Sequence, residues 1–251
     1  MDDAQLLRYS RHVLLPELGV DAQQRFAAAH ALIVGVGGLG NPAAQFLAAA
    51  GVGTLTLVDA DHVDLTNLQR QILFATTDIG RPKVDAASSR IAAVNPEVRV
   101  ETVARRVGET ELAPLVAAAD VVLDCSDNFA TRHAVNRACV ARSKPLISGA
   151  AIRFDGQIAV FDARDAANPC YHCLFGDGGD FEETRCAVMG VFAPLVGIVG
   201  ATQAAEALKL IAPAGRSLAG RLLLIDALTM DWREVRVLKD PACPVCVATG
   251  R

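Results

Sequence analysis

The sequence predicts an α/β fold, a doubly wound, mostly parallel sheet continued by an antiparallel extension. Three observations predict it. Strand-like and helix-like segments alternate through residues 1–150, the order that a parallel sheet with crossover helices requires. A glycine turn, Gly35-Val36-Gly37-Gly38-Leu39-Gly40, joins the first apolar run to the helix that follows it. After Gly149 an Asp155-Gly156 pair divides two alternating segments, the mark of an antiparallel hairpin.

Each element has its own justification. Ala31-Leu32-Ile33-Val34 is a short apolar run suited to a buried parallel strand, and it leads straight into the glycines. Residues 42–50 read as a helix with Pro42 in the first turn. In such a turn Gly35 permits the tight bend and Gly37, with Gly38 beside it, lets the backbone approach a phosphate. Gly40 lets the helix pack closely on the strand, and the helix N-terminus offers free N–H donors. Thr54-Leu55-Thr56-Leu57-Val58 is the second strand and ends at Asp59, the acid expected to hold ribose hydroxyls. Strand, turn, helix, strand and acid in this order make a Rossmann-like nucleotide site.

The alternation continues with a helix over Lys83–Val94, a strand over 98–103, a helix over 109–119 and a buried strand at Val121-Val122-Leu123-Asp124. A helix over 128–142 and a strand at Pro145-Leu146-Ile147-Ser148 complete the parallel part. Residues 151–161 then read as a hairpin turning at Asp155-Gly156, and strands over 222–226 and 234–238 extend it. With no Pro/Ser-rich linker or repeat, residues 1–251 are expected to form one domain on one continuous sheet, with a nucleotide-binding half (1–150) and a second half (151–251). Gly176-Asp177-Gly178-Gly179-Asp180 reads as the flexible segment of the chain.

A chain of 251 residues is long enough to bury a sizeable core. Its net charge of −4 and lack of a basic patch speak against nucleic acid as a partner. Met1-Asp2-Asp3-Ala4 lacks the basic-then-apolar form of a signal peptide. The longest apolar stretch, 188–205, contains Pro194, glycines and Gln203 and runs into Glu206, which suits a buried helix better than a membrane span. A cytoplasmic protein with no membrane partner is expected.

Seven cysteines in such a chain argue against a disulfide framework. Four form two pairs, Cys170-Tyr171-His172-Cys173 and Cys243-Pro244-Val245-Cys246. Two Cys-x-x-Cys turns can complete a tetrahedral zinc site, which with four thiolates would be closed and therefore structural. It would clamp the tail onto the middle of the chain. Two redox-active dithiols, or unpaired reduced cysteines, are the alternatives. Cys125 and Cys139, at a strand end and within a helix, read as core.

The run Asn67-Leu68-Gln69-Arg70-Gln71 and then Lys83 add cations where an adenine-nucleotide triphosphate would lie. A nicotinamide enzyme has no use for them, so the reading moves from redox chemistry to adenylation. Two other classes remain open on these residues. One is an NAD-dependent oxidoreductase, favoured by the glycine turn and Asp59; the other is a non-catalytic nucleotide-binding, carrier-docking module.

With these residues laid out, the chain resembles the MoeB/ThiF/HesA family of ubiquitin-activating-like adenylyltransferases, and within it the MoeB branch most. The resemblance spans nearly the whole length. It is carried by Arg8-Tyr9-Ser10-Arg11, the glycine turn, Asp59-Ala60-Asp61, Asn67 through Gln71, and Gly80-Arg81-Pro82-Lys83. It continues in Asp124-Cys125-Ser126-Asp127-Asn128, Ser148-Gly149-Ala150-Ala151, Gly156-Gln157, Ala193-Pro194-Leu195-Val196-Gly197 and both cysteine pairs.

The resemblance implies ATP-dependent adenylation of the C-terminal glycine of a small ubiquitin-like sulfur carrier protein ending in Gly-Gly, of the MoaD or ThiS type. Acyl-adenylate and pyrophosphate form ahead of a thiocarboxylate. The second half of the chain then carries carrier binding and the zinc. Arg70 and Lys83 match the family's phosphate-binding cations, with Asn67 and Gln69 in the same motif. Asp127, followed by Asn128, matches its Mg2+-associated acid, and Asp61 lies near the ribose acid Asp59. Arg11 matches an arginine that reaches from one subunit into the other's active site, which implies a homodimer. Cys186 aligns with the cysteine that ThiF-type members link to the carrier's sulfur and that MoeB-type members carry without depending on it. Both readings stand, a nucleophile favoured by Arg185 or a small buried residue leading into an apolar helix. Lacking a rhodanese segment after Cys246, the chain is expected to take sulfur from a separate persulfide donor. His12, His133 and His172 receive no role.

Overall fold

The computed structural model describes residues 1–176 and 189–247. Cys186, Arg185 and most of the glycine-rich segment therefore lie outside the described residues. Three short helices open the chain, α1 (Asp3–Arg8), α2 (Ser10–Val13) and α3 (Gly19–Ala28). There follow β1 (His30–Val34), α4 (Gly40–Ala49), β2 (Thr54–Val58), α5 (Lys83–Val94), β3 (Arg99–Val103), α6 (Glu109–Ala118), β4 (Val121–Asp124), α7 (Phe129–Arg142), β5 (Pro145–Ile152) and β6 (Asp155–Asp162). The short α8 (Tyr171–Phe175) and the long α9 (Ala193–Ile211) precede β7 (Arg221–Asp226) and β8 (Asp231–Arg236).

The eight strands form one sheet in the order β3-β2-β1-β4-β5-β6-β7-β8. The first five pair in parallel and the rest antiparallel. The chain leaves β1 for β2 and β3 on one side, then returns to place β4 on the other. This reversal puts α4 and α5 on one face and α6 and α7 on the opposite face, and it opens a crevice between the ends of β1 and β4.

The strands supply both faces by simple alternation. Ile33, Leu57, Leu123, Ile147 and Ile158 point into the core shared with α4, α5 and α9. Leu32, Val58, Val122, Leu146 and Phe161 point into the core shared with α6, α7 and Tyr171 of α8. Continuous apolar runs are what a sheet covered on both faces needs. The helix α9 is apolar and long enough to cross a membrane by length and composition alone. Its Leu195, Val199, Ala204 and Ala207 are instead buried against α4 and the sheet.

Two sequence expectations move. The hairpin turns at Arg153-Phe154 and not at Asp155-Gly156, and its first arm is continuous with the strand expected at 145–148. Arg153 holds φ +53°, fixed by hydrogen bonds from its N–H to Gly190 O and from the Phe192 N–H to its carbonyl. Gly156 is a strand residue whose absent Cβ makes way for α9; a Cβ there would stand 2.8 Å from Leu195 Cδ1. The last strand begins at Asp231 and not at residue 234, its register set by Ile225 opposite Trp232. Every residue of β8 is exposed, so little hydrophobic patterning marks its ends.

Candidate active site

The crevice is a cleft of about 1680 Å3 at the C-terminal ends of β1, β2 and β4. Gly35 makes the turn with φ +91°, and a Cβ there would collide with Cys125 O at 2.7 Å. Gly40 lies behind it, where a Cβ would stand 2.0 Å from Gly35 O. Gly37 is different: the nearest atom to its missing Cβ is Gln71 Nε2 at 3.7 Å, and it faces the cleft together with Gly38.

Asp59, at the end of β2, accepts the Val36 N–H at 2.7 Å and the Asp61 N–H at 2.8 Å. Burial pushes its carboxyl above the ordinary range, against these donors and the Lys83 charge. Lys83 opens α5 and is buried; its Nζ contacts Asp61 Oδ2 at 2.9 Å, so the exposed Asp61 aims it. Arg70 is held to its own turn by a bond to Thr66 O at 3.1 Å, and among the described residues no carboxylate pairs with it. Asn67, Gln69, Asp127 and Asn128 line the same cleft. Asn128 also caps α7 through the Thr131 N–H at 2.9 Å. Asp127 is exposed, with one long contact from Asn128 Nδ2 at 3.5 Å. The sequence-expected nucleotide residues thus converge, with Gly40 alone behind the wall.

Several polar residues to which the sequence reading gave no role in the site hold this geometry. Buried Asn41 donates to Val36 O at 2.7 Å and accepts the Leu73 N–H at 2.9 Å, tying the glycine turn to the segment after Arg70. Arg132 donates to Ser126 O at 2.6 Å, just before Asp127. Gln203 of α9 donates to Asp124 O and Ile147 O at 2.9 and 3.2 Å, joining the ends of β4 and β5. For Asn41 and Gln203 the signal is a polar side chain on the buried stripe of an otherwise apolar helix; Arg132, in the mixed sequence of α7, carries no such signal.

Arg11 is exposed on α2 and does not line the cleft of its own chain. The adjacent Tyr9 is buried against Gly51, and its hydroxyl donates to Glu97 and accepts from Asn95. It anchors the segment that presents Arg11.

The four paired cysteines meet beside Val140 of α7. All four Sγ atoms lie within 4.8 Å of one another, with closest pairs of 3.9, 3.7 and 3.5 Å. A tetrahedron of sulfurs about 2.3 Å from zinc has edges of about 3.8 Å, so the cluster fits the ion. Burial pushes the Cys170 thiol up to about 11. Burial raises Cys243 too, but the N–H donors of Cys246 and Val245 together with the Cys173 and Cys246 thiols bring it down overall. Asn136 of α7 donates to Cys170 Sγ at 3.6 Å and accepts the Tyr171 N–H at 3.0 Å. Cys125 and Cys139 are buried, and burial holds both thiols far above the range of a nucleophile.

The family model described as ThiF matches residues 9–245. The chain belongs to the ThiF family. This ThiF-family chain is 44% identical over 249 residues to a molybdopterin-synthase adenylyltransferase of Escherichia coli (strain K12), covering 98% of each. It is 45% identical over 246 residues to a sulfur carrier protein ThiS adenylyltransferase of the same strain, covering 98% of this chain and 97% of the relative. An SAMP-activating enzyme E1 of Haloferax volcanii is 43% identical over 251 residues, covering 100% and 92%. Among solved structures, E. coli MccB with ATP superposes with a TM-score of 0.84 at 26% identity, covering 95% of this chain and 73% of that one. Identity is level across relatives whose names give different targets, and those names share adenylation or activation.

Proposed function

We propose that this chain uses ATP to adenylate the C-terminal glycine carboxylate of a small ubiquitin-like sulfur carrier of the MoaD or ThiS type. One observation carries the reading: Arg70 and the buried Lys83 share a single cleft with the glycine turn, Asp59 and Asp127. The carrier's carboxylate oxygen bonds to the α-phosphorus, the bond from that phosphorus to the bridging oxygen breaks, and pyrophosphate leaves with its electron pair. A carboxylate is already ionised at neutral pH, so no general base is needed, and catalysis rests on positioning and charge neutralisation. The N–H groups of Gly37 and Gly38, in the turn that leads into α4 and facing the cleft, donate to phosphate oxygens. Asp59 holds the ribose, Lys83 and Arg70 offset charge on the phosphates, and Asn67 and Gln69 complete the wall. Mg2+, when bound, neutralises phosphate charge, and exposed Asp127, beside Asn128, offers it the hard oxygen it prefers.

The remaining assignments follow from the same reading. Residues 1–251 act as one adenylation domain, 1–150 binding nucleotide and 151–251 holding carrier and zinc. Zn2+ on Cys170, Cys173, Cys243 and Cys246 is structural. The protein is a cytoplasmic homodimer in which Arg11 completes the partner's site. Among the described residues the cysteines are either clustered or buried with raised pKa values. Sulfur comes from a separate persulfide donor, and for Cys186 both readings, a nucleophile or a small buried residue, still stand. The test is ATP–pyrophosphate exchange with a panel of Gly-Gly carriers. Exchange should require a carrier and fall about 100-fold or more in Arg70→Ala and in Lys83→Ala, each of which removes charge stabilisation. Exchange near the wild-type rate in either variant, or none with any carrier, overturns the reading.

A further inference from the structure

We infer that Gln71 is a nucleotide-binding residue whose carboxamide is kept for the phosphate chain. It follows Arg70, lines the cleft and is only 3% exposed. Its Oε1 is buried with no hydrogen-bond partner among the described residues. Its Nε2 faces Gly37, 3.7 Å from where a Cβ would stand.

The fold does not use this side chain as a brace. The backbone of Gln71 is satisfied through Asn67 O and the Phe74 N–H. The tie between the glycine turn and this segment is made by Asn41, both ends of whose carboxamide are hydrogen-bonded. A buried amide left partly unmatched is unfavourable, and an apolar side chain of similar size would serve packing better. What explains an amide here, despite the unmatched Oε1, is its other end: the Nε2 donor is available to an acceptor entering the cleft. The wall it faces is the glycine turn at the start of α4, where phosphate oxygens sit in this type of fold. The Nε2 therefore donates to a phosphate oxygen lying over Gly37, a contact for which Gly37 must lack a side chain.

This inference rests on the ATP reading, and one experiment separates the two. Thermal unfolding of the full chain is followed with and without Mg-ATP for wild type, Gln71→Leu and Gln71→Glu. Gln71→Leu should melt at or above the wild-type temperature without nucleotide, because it removes an unmatched acceptor. Its ATP-induced rise in Tm should shrink, reporting affinity weaker by about tenfold or more. Gln71→Glu should abolish the rise, since it sets a carboxylate against phosphate. A Gln71→Leu chain that melts lower and keeps the full ATP-induced rise makes Gln71 a brace and overturns the inference alone. No rise in the wild type overturns the ATP reading, and this inference with it.

Discussion

At Gly37 and Gly40 one residue type answers two different demands. A Cβ on Gly40 would stand 2.0 Å from Gly35 O, a backbone atom that cannot give way. Gly40→Ala should therefore destabilise the fold by about 3 kcal/mol. Gly37 has an ordinary backbone angle and nothing closer than 3.7 Å, so Gly37→Ala should leave stability within about 0.5 kcal/mol of wild type. Its methyl would project where the nucleotide passes, and ATP should no longer raise the Tm. Melting curves with and without ATP check both variants; equal destabilisation of the two, or a full ATP response in Gly37→Ala, contradicts the division of labour. Asp59, Arg70 and Lys83 were legible in the sequence because each sits at a set distance from a strand or glycine turn. Asn41 and Gln203 were not, because a lone amide in an apolar helix has no spacing that reveals which carbonyls it will meet.

The clearest lesson at the scale of elements is the hairpin between β5 and β6. Asp-Gly is a strong turn signal, yet the turn falls two residues earlier because segment 190–192 pins Arg153 and α9 occupies the space above Gly156. Contacts distant in sequence outweighed local propensity. The cysteine clamp has the same long-range character, joining α8 to the segment after β8 beside Val140 of α7. One zinc per chain is expected by metal analysis of freshly purified, reduced protein. Chelation or Cys243→Ser should remove about 2 kcal/mol or more of stability, a fall in Tm of about 4–8 °C, while the folded fraction keeps its exchange activity. Identical melting with and without a strong chelator, or zinc well below one per chain, would contradict a structural metal.

For the whole molecule, the open question concerns Arg11, exposed and outside its own cleft. If it completes the partner's site, homodimers of Arg11→Ala and of Lys83→Ala should each be nearly inactive in pyrophosphate exchange. Unfolding and reassembling them together should then restore activity through heterodimers with one whole site. That site takes Arg11 from the Lys83→Ala chain and Lys83 from the Arg11→Ala chain. An arginine acting within its own chain leaves both heterodimer sites broken, so verified but inactive heterodimers would rule out the arrangement across subunits.

Across the chain, local patterning was enough to mark the alternation of strands and helices, the glycine turn and the residue types beside it. Apolar runs, periodicity and motif spacing are encoded within a few residues of one another. The order β3-β2-β1-β4 was not encoded in that way, nor was the true hairpin turn, the start of β8 or the burial of Gln71. Those features depend on which surfaces meet, and packing between segments far apart in sequence selects them. The cleft is the product of both. Its residue types are local, and their convergence at the reversal between β1 and β4 is a property of the packed sheet.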